Sequence, residues 1–173
     1  MDFISHGLIG ATLGLLDKNR TKKKVLAISF FSVLPDIFQI PYYLGLGYIK
    51  HRPCYWPNIE DWTNFRGTHP VLDAFWDIPH SLFFVLIVIF PLVKFLKKTN
   101  LLIYAYILHI LIDIPTHTGE WGVKIFFPFN FQIPGITDAW AWGIDYFIIS
   151  WATLIVLNIG LYKFIHNSEP IIK

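Results

Sequence analysis

Three residues with metal-binding side chains, His109, Asp113 and His117, recur at intervals of four at the end of an apolar run that begins at Leu101. On a helix each step of four residues turns the side chain by about 40°, so the three share one face and rise along it. An ionisable group facing lipid at the middle of a bilayer costs roughly 2.5 to 3.5 kcal/mol, so that face is expected to turn inward and to mark function. Three more groups of the same chemistry, His6, Asp36 and His80, lie in or beside other apolar runs. Imidazoles and carboxylates without thiolates suit zinc, manganese or iron, with zinc as the default. Three or four such ligands around a metal with one open position would bring the pKa of a bound water toward 7, ready for attack on an ester or phosphoester. Six candidates could also hold two metals, and Asp36 and Asp113 could orient imidazoles or serve as catalytic general base.

The composition calls for a membrane. The 173 residues are 54% hydrophobic and 18% aromatic, and 15% are charged, against about 25% in a typical soluble domain. Mean hydropathy is +0.50. The length suits one domain, residues 1–173, and a formal net charge of +2 is too weak to recruit nucleic acid. A single cysteine, Cys54, excludes an internal disulfide and a cysteine-based metal site. Asp2 and the lack of a basic leader argue against a cleavable signal peptide.

Five apolar runs must position the ligands, so the chain reads as an all-α integral membrane protein of about five short hydrophobic helices. The first, Phe3 to Leu16, carries Gly7, Gly10, Ala11 and Gly14 for close packing. The second begins at Val25, meets Leu34-Pro35-Asp36, where Pro35 should kink the helix or start a new one, and continues to Tyr48 past Pro41. The third runs from His80 to Leu96 and the fourth from Leu101 to His117. The fifth, Ile144 to Ile165, is the only one with the length of a conventional span. Between them lie two long aromatic-rich segments, of which 50–79 has no clear periodicity.

If the runs alternate across a bilayer, Lys18, Arg20, Lys22, Lys23, Lys24, Lys94, Lys97, Lys98, Lys163 and Lys173 fall on one side and Lys50, Arg52, Arg66 and Lys124 on the other. The positive-inside rule then places the basic turns and the C-terminus in the cytoplasm and the long aromatic loops outside. A re-entrant first hairpin would leave Lys22, Lys23 and Lys24 in hydrocarbon. Counted at about 1.5 Å per residue from the nearest basic turn, His6, Asp36, His80 and Asp113 all stand about 18 to 21 Å up, with His109 about 14 Å and His117 about 26 Å. Six polar groups thus converge on the outer third of the membrane.

Each has a simpler reading. His6 could bond a backbone carbonyl, Asp36 or Ser81 could cap a helix, and His117 could merely end one. His51, His69 and His166 lie outside the apolar runs. Trp56, Trp62, Trp76, Trp121, Trp140 and Trp142 fall in the outer segments, where they could anchor the protein at the interface or form a lid over a lipid-like substrate.

The elements His6-x-x-x-Gly10, Leu34-Pro35-Asp36, Pro79-His80-Ser81-Leu82 and Leu108-His109-x-x-x-Asp113-x-x-Thr116-His117, with Phe126-Phe127-Pro128-Phe129 after them, resemble the membrane-bound metal-dependent hydrolase family, also described as LexA-binding inner-membrane-associated hydrolases. The resemblance covers nearly the whole chain. It implies a small helical protein of a prokaryotic inner membrane with a metal site formed by His6, Asp36, His80, His109, Asp113 and His117. The family's His-Arg-Gly-x-Thr-His-Ser element is divided here between Arg66-Gly67-Thr68-His69-Pro70 and Pro79-His80-Ser81-Leu82, which leaves the roles of Arg66 and His69 open. The His109-x-x-x-Asp113 pair is also similar to motifs of zinc-dependent phospholipases C, a looser analogy toward phosphoester chemistry. Two functions are therefore expected in competition. One is a metallohydrolase with one or two zinc ions acting on a lipid-like ester or phosphoester at the outer interface. The other is a non-catalytic metal-binding protein that senses or transports metal or binds a partner.

Overall fold

A computed structural model describes residues 1–168; Lys173 lies outside the described residues, and so do the side chains of Ile59, Thr63, His166 and Ser168. Among the described residues all regular structure is helical. Helix α1, Phe3–Leu15, starts at Asp2, whose carboxylate accepts hydrogen bonds from the backbone N–H groups of Ile4 and Ser5. Helix α2, Lys22–Ile37, starts at Thr21, whose hydroxyl accepts from Lys24 N–H. The two helices run antiparallel along a seam of glycines. A Cβ on Gly10 would lie 2.6 Å from Ser32 Cβ and 2.8 Å from Ser29 Cα, and one on Gly14 would lie 2.9 Å from Val25 Cα. Lipid tails are as apolar as the side chains they would replace, so close backbone approach and hydrogen bonds such as Ser29 Oγ to Gly7 O, 2.6 Å, hold such a pair.

Pro35 neither ends α2 nor starts the next helix. The backbone stays right-handed across Phe38 and Gln39 and continues into α3, Ile40–Ile49. Lys22–Ile49 is therefore a 28-residue stretch long and apolar enough to cross a membrane, alongside the 22-residue stretch Ile144–Ile165. The sequence reading carries the first from Val25 to Tyr48 but grants the length of a conventional span to the second alone, because Pro35 should kink the first or start a new helix there. Residues 50–79 also hold more helix than their pattern suggests. Helix α4, Ile59–Thr63, is closed by a capping box between Asn58 and Asp61, and α5, Pro70–Asp77, begins on a proline whose fixed φ suits a first turn.

Helix α5 meets the rod Leu82–Phe95 at 65°, and the two together form a third candidate span, bent at its centre. The rod comprises α6, Leu82–Phe84, a π-helical turn, Val85–Ile89, and α7, Phe90–Phe95. Helix α8, Leu101–Thr116, packs against α1, α2 and α7, with Ala105, Tyr106 and Ile110 buried against Ile28, Ile89 and Val93. The segment after α8 folds back over its end, where Pro115 O accepts from Ile136 N at 2.9 Å and Thr137 N at 3.0 Å. This satisfies a carbonyl that the helix end leaves free. Helix α9, Ile144–Ser168, packs against α1 through polar contacts: Asn158 Nδ2 donates to Leu8 O at 3.1 Å, and Trp151 Nε1 donates to Asp2 Oδ1 at 2.9 Å.

The glycine seam sets the height of α1 against α2 and hence of His6 against Asp36. Gly10→Ala is expected to destabilise the protein by about 1–3 kcal/mol, because the new methyl meets backbone as well as a side chain. Gly160→Ala in α9, where a Cβ meets nothing within 4 Å, is expected to be neutral or slightly stabilising. Thermal unfolding of both variants in detergent checks the contrast.

Candidate metal centre

Each of Asp36, His80, His109 and Asp113 offers one ligand atom, all within 4.8 Å of one another, and all four residues are buried. Helix α8 supplies His109 and Asp113 from adjacent turns of one face. Helix α2 supplies Asp36, one turn beyond Ser32, and the elbow between α5 and α6 supplies His80. That elbow is pinned by Tyr106 Oη, which donates to Pro79 O at 2.8 Å.

The hydrogen bonds fix which nitrogen of each imidazole faces the cluster. His80 Nδ1 lies 2.8 Å from Trp76 O and His109 Nδ1 lies 2.7 Å from Ser32 O. A carbonyl oxygen only accepts, so each Nδ1 carries a proton and each ring turns its Nε2 to the cluster. The two Nε2 atoms face each other at 3.2 Å. His109 Nε2 is also 3.0 Å from Asp113 Oδ2 and 3.7 Å from Asp36 Oδ1, and His80 Nε2 is 3.5 Å from Asp113 Oδ2. Asp36 Oδ2 and Asp113 Oδ2 are buried without a hydrogen-bond partner. Two imidazole nitrogens and two carboxylates around one point form a donor set of the kind that could hold a cation. These four residues could hold a metal ion, and their outward-facing Nδ1–H groups make the carbonyl contacts that commonly orient metal-bound histidines.

His6 and His117 stand beside this set. His6 Nε2 lies 3.0 Å from Asp113 Oδ1, and its ring stacks on His109 with centroids 3.7 Å apart. His117 is the C-cap of α8, and its Nδ1 lies 3.1 Å from Asp113 O and 3.6 Å from Asp113 Oδ1. The Met1 ammonium is 2.6 Å from Asp113 Oδ1. All six residues singled out in the sequence are thus brought together, with Asp113 as the common contact of the four histidines.

Gln39 and Tyr43 are missed by the sequence reading. Gln39 is fully buried, and its Nε2 donates to Asp36 Oδ1 at 2.8 Å while lying 3.4 Å from His80 Nε2. Tyr43 Oη donates to Gln39 Oε1 at 2.6 Å and so fixes which end of the amide faces the carboxylate. A lone glutamine in the apolar run three residues after Asp36 is the available signal. Arg66 and His69 lie elsewhere. Arg66 pairs with Asp73 and Asp77 and donates to Glu120 O, with its guanidinium over the Trp121 ring, while the His69 ring packs on Phe65.

A cavity of ≈ 290 Å³ adjoins the cluster, bordered by Asp36 and His117 and walled by Trp56, Trp62, Trp140 and Phe147. Trp76 also lines the cavity, stacking on His80 with centroids 4.9 Å apart, and Trp121 packs against Trp76. Trp142 stands apart, against Tyr146 and Phe147. Trp62, Trp76, Trp121 and Trp140 pack on one another beside the histidine and aspartate cluster.

A family model described as YdjM inner membrane protein matches residues 1–170. No curated protein and no solved structure matches the chain. The geometry yields a direct expectation. Purified protein is expected to carry about one divalent ion per chain, and His80→Ala and His109→Ala to lose it. Gln39→Leu is expected to retain the ion with affinity weakened about 10–100-fold, as for other residues that orient a ligand. Elemental analysis with titration by a chelator measures both effects.

Proposed function

The chain belongs to the YdjM inner membrane protein family, and we propose that it is a membrane-embedded, metal-dependent hydrolase acting on a lipid-like ester or phosphoester. The observation that carries this reading is the meeting of two imidazole nitrogens with two carboxylates beside an aromatic-walled cavity. Zinc is the ion we assign, because the donors are imidazoles and carboxylates. When bound, such an ion supplies a polarised water and a Lewis acid for a carbonyl or phosphoryl oxygen.

The chain's own groups divide the remaining work. Asp113, His80 and His109 are held from outside by His6 and by the carbonyls of Trp76 and Ser32. Asp36 both borders the cavity and leaves Oδ2 without a partner, which suits it to take a proton from a water there. His117 Nδ1–H donates to Asp113 O, and the residue borders the cavity. The aromatic walls exclude water and suit an acyl or prenyl chain. In the orientation we propose, the basic turns and the C-terminus are cytoplasmic and the metal centre opens toward the outer face.

One observation favours a second, non-catalytic reading, as a metal sensor, transporter or partner-binding module. The four residues around the common point would by themselves complete a tetrahedral shell, as in structural sites. Zinc-loaded protein incubated with native lipid extract separates the two. Hydrolysis is expected to convert one lipid class to its cleaved product, to stop on chelation, and to fall at least about 100-fold in Asp36→Asn. An unchanged lipid profile in protein that holds its full metal would contradict the hydrolase and leave the binding protein.

A further inference from the structure

The opposite end of the helices carries a second cavity, of ≈ 530 Å³, between the α1–α2 turn and α9. Its mouth is lined by Lys18, Arg20 and Lys22, its floor by Leu15, Val25 and Leu26, and its far wall by Tyr162. Asp17 is the one acidic residue between Leu16 and Val25, and it is paired with Lys24, which does not line the cavity. Lys18 and Lys22 therefore bring positive charge to the mouth. Lys18 and Lys22 are exposed, and Thr21 at the edge caps the N-terminus of α2, where the helix dipole adds to the positive field. Among the described residues the floor continues onto exposed apolar helix faces: Leu26 is 69% and Phe30 52% exposed on α2, and Val156 and Ile159 are exposed on α9.

We propose that this cavity binds the phosphate headgroup of an anionic phospholipid, with the acyl chains lying along the exposed faces of α2 and α9. Lys18 and Lys22 supply the recognition and the apolar floor supplies the reason for a lipid instead of a soluble phosphate, which would have no use for it. A basic recess between membrane helices at headgroup level has the charge and shape for this ligand. The site lies at the far end of α1 and α2 from His6 and Asp36, so it stands independently of the metal centre.

The test is native mass spectrometry of the full-length protein released from nanodiscs of equal phosphatidylglycerol and phosphatidylcholine. Wild type is expected to retain phosphatidylglycerol in preference to phosphatidylcholine. Lys18→Gln with Lys22→Gln is expected to cut that retention about tenfold or more, while Lys18→Arg with Lys22→Arg preserves it. Lys97→Gln with Lys98→Gln removes the same charge from the α7–α8 turn and is expected to leave retention unchanged. Equal retention of the two lipids, full retention by the Lys18/Lys22 glutamine variant, equal loss in the Lys97/Lys98 variant, or displacement of the lipid by excess inorganic phosphate would each overturn the proposal.

Discussion

The facing of His80 Nε2 and His109 Nε2 at 3.2 Å is the contact on which the interior depends. Both rings are locked by donation from Nδ1 to a backbone carbonyl, so neither can turn its proton inward without losing a buried hydrogen bond. The carbonyl for His109 belongs to Ser32, on the α2 face that Gly10 allows α1 to approach. The carbonyl for His80 belongs to Trp76, one turn before the elbow that bends the third candidate span by 65°. The glycine seam and the bend are thus both conditions for the same pair of nitrogens to point at each other. A buried convergence of imidazole nitrogens and carboxylates is a donor set that could hold a cation, and the surrounding helices are built to hold it in place.

Asp113 is the hub of this arrangement because its two oxygens serve different neighbours. Oδ1 meets His6, His117 and the Met1 ammonium, while Oδ2 turns toward His80 and His109. One oxygen is therefore spent on orientation and the other is left for a ligand. Asp36 is arranged in the same way, with Oδ1 held by Gln39 and Oδ2 without a partner. The aromatic segments complete the environment on the cavity side, where Trp76 bridges the two parts by stacking on His80 and packing against Trp121.

Much of this site is legible in the sequence because the membrane makes polar residues expensive. Six histidines and aspartates in apolar runs stand out against their surroundings, and counting residues from the basic turns places them at one height. The division of labour among them is not legible, since it depends on which ring nitrogen meets which carbonyl, and the carbonyls of Ser32 and Trp76 carry no sequence signature. Gln39 and Tyr43 escape for a related reason: a glutamine and a tyrosine are ordinary in a partly polar helix, and only the fold places one behind Asp36 and the other behind Gln39. The helical fold class is readable from the apolar runs, but the continuity of Lys22–Ile49 through Pro35 and the helix at Pro70–Asp77 are not. The first is decided by a break that stays right-handed, and the second by a short helix whose pattern is inverted, with apolar Val71 and Phe75 exposed and Asp73 and Asp77 buried. Arg66, whose role the divided motif leaves open, is claimed by Asp73 and Asp77.

The central claim is that His80 and His109 turn their Nε2 atoms onto one cation, with Asp113 as a further ligand and Asp36 beside it. X-ray absorption at the metal edge of the zinc-loaded protein tests it most directly. The expected spectrum has a shell of nitrogen and oxygen donors with the multiple-scattering signature of two imidazoles, falling to one in His80→Ala or His109→Ala protein reloaded with zinc. A shell without imidazole, or one unchanged by either substitution, would contradict the account.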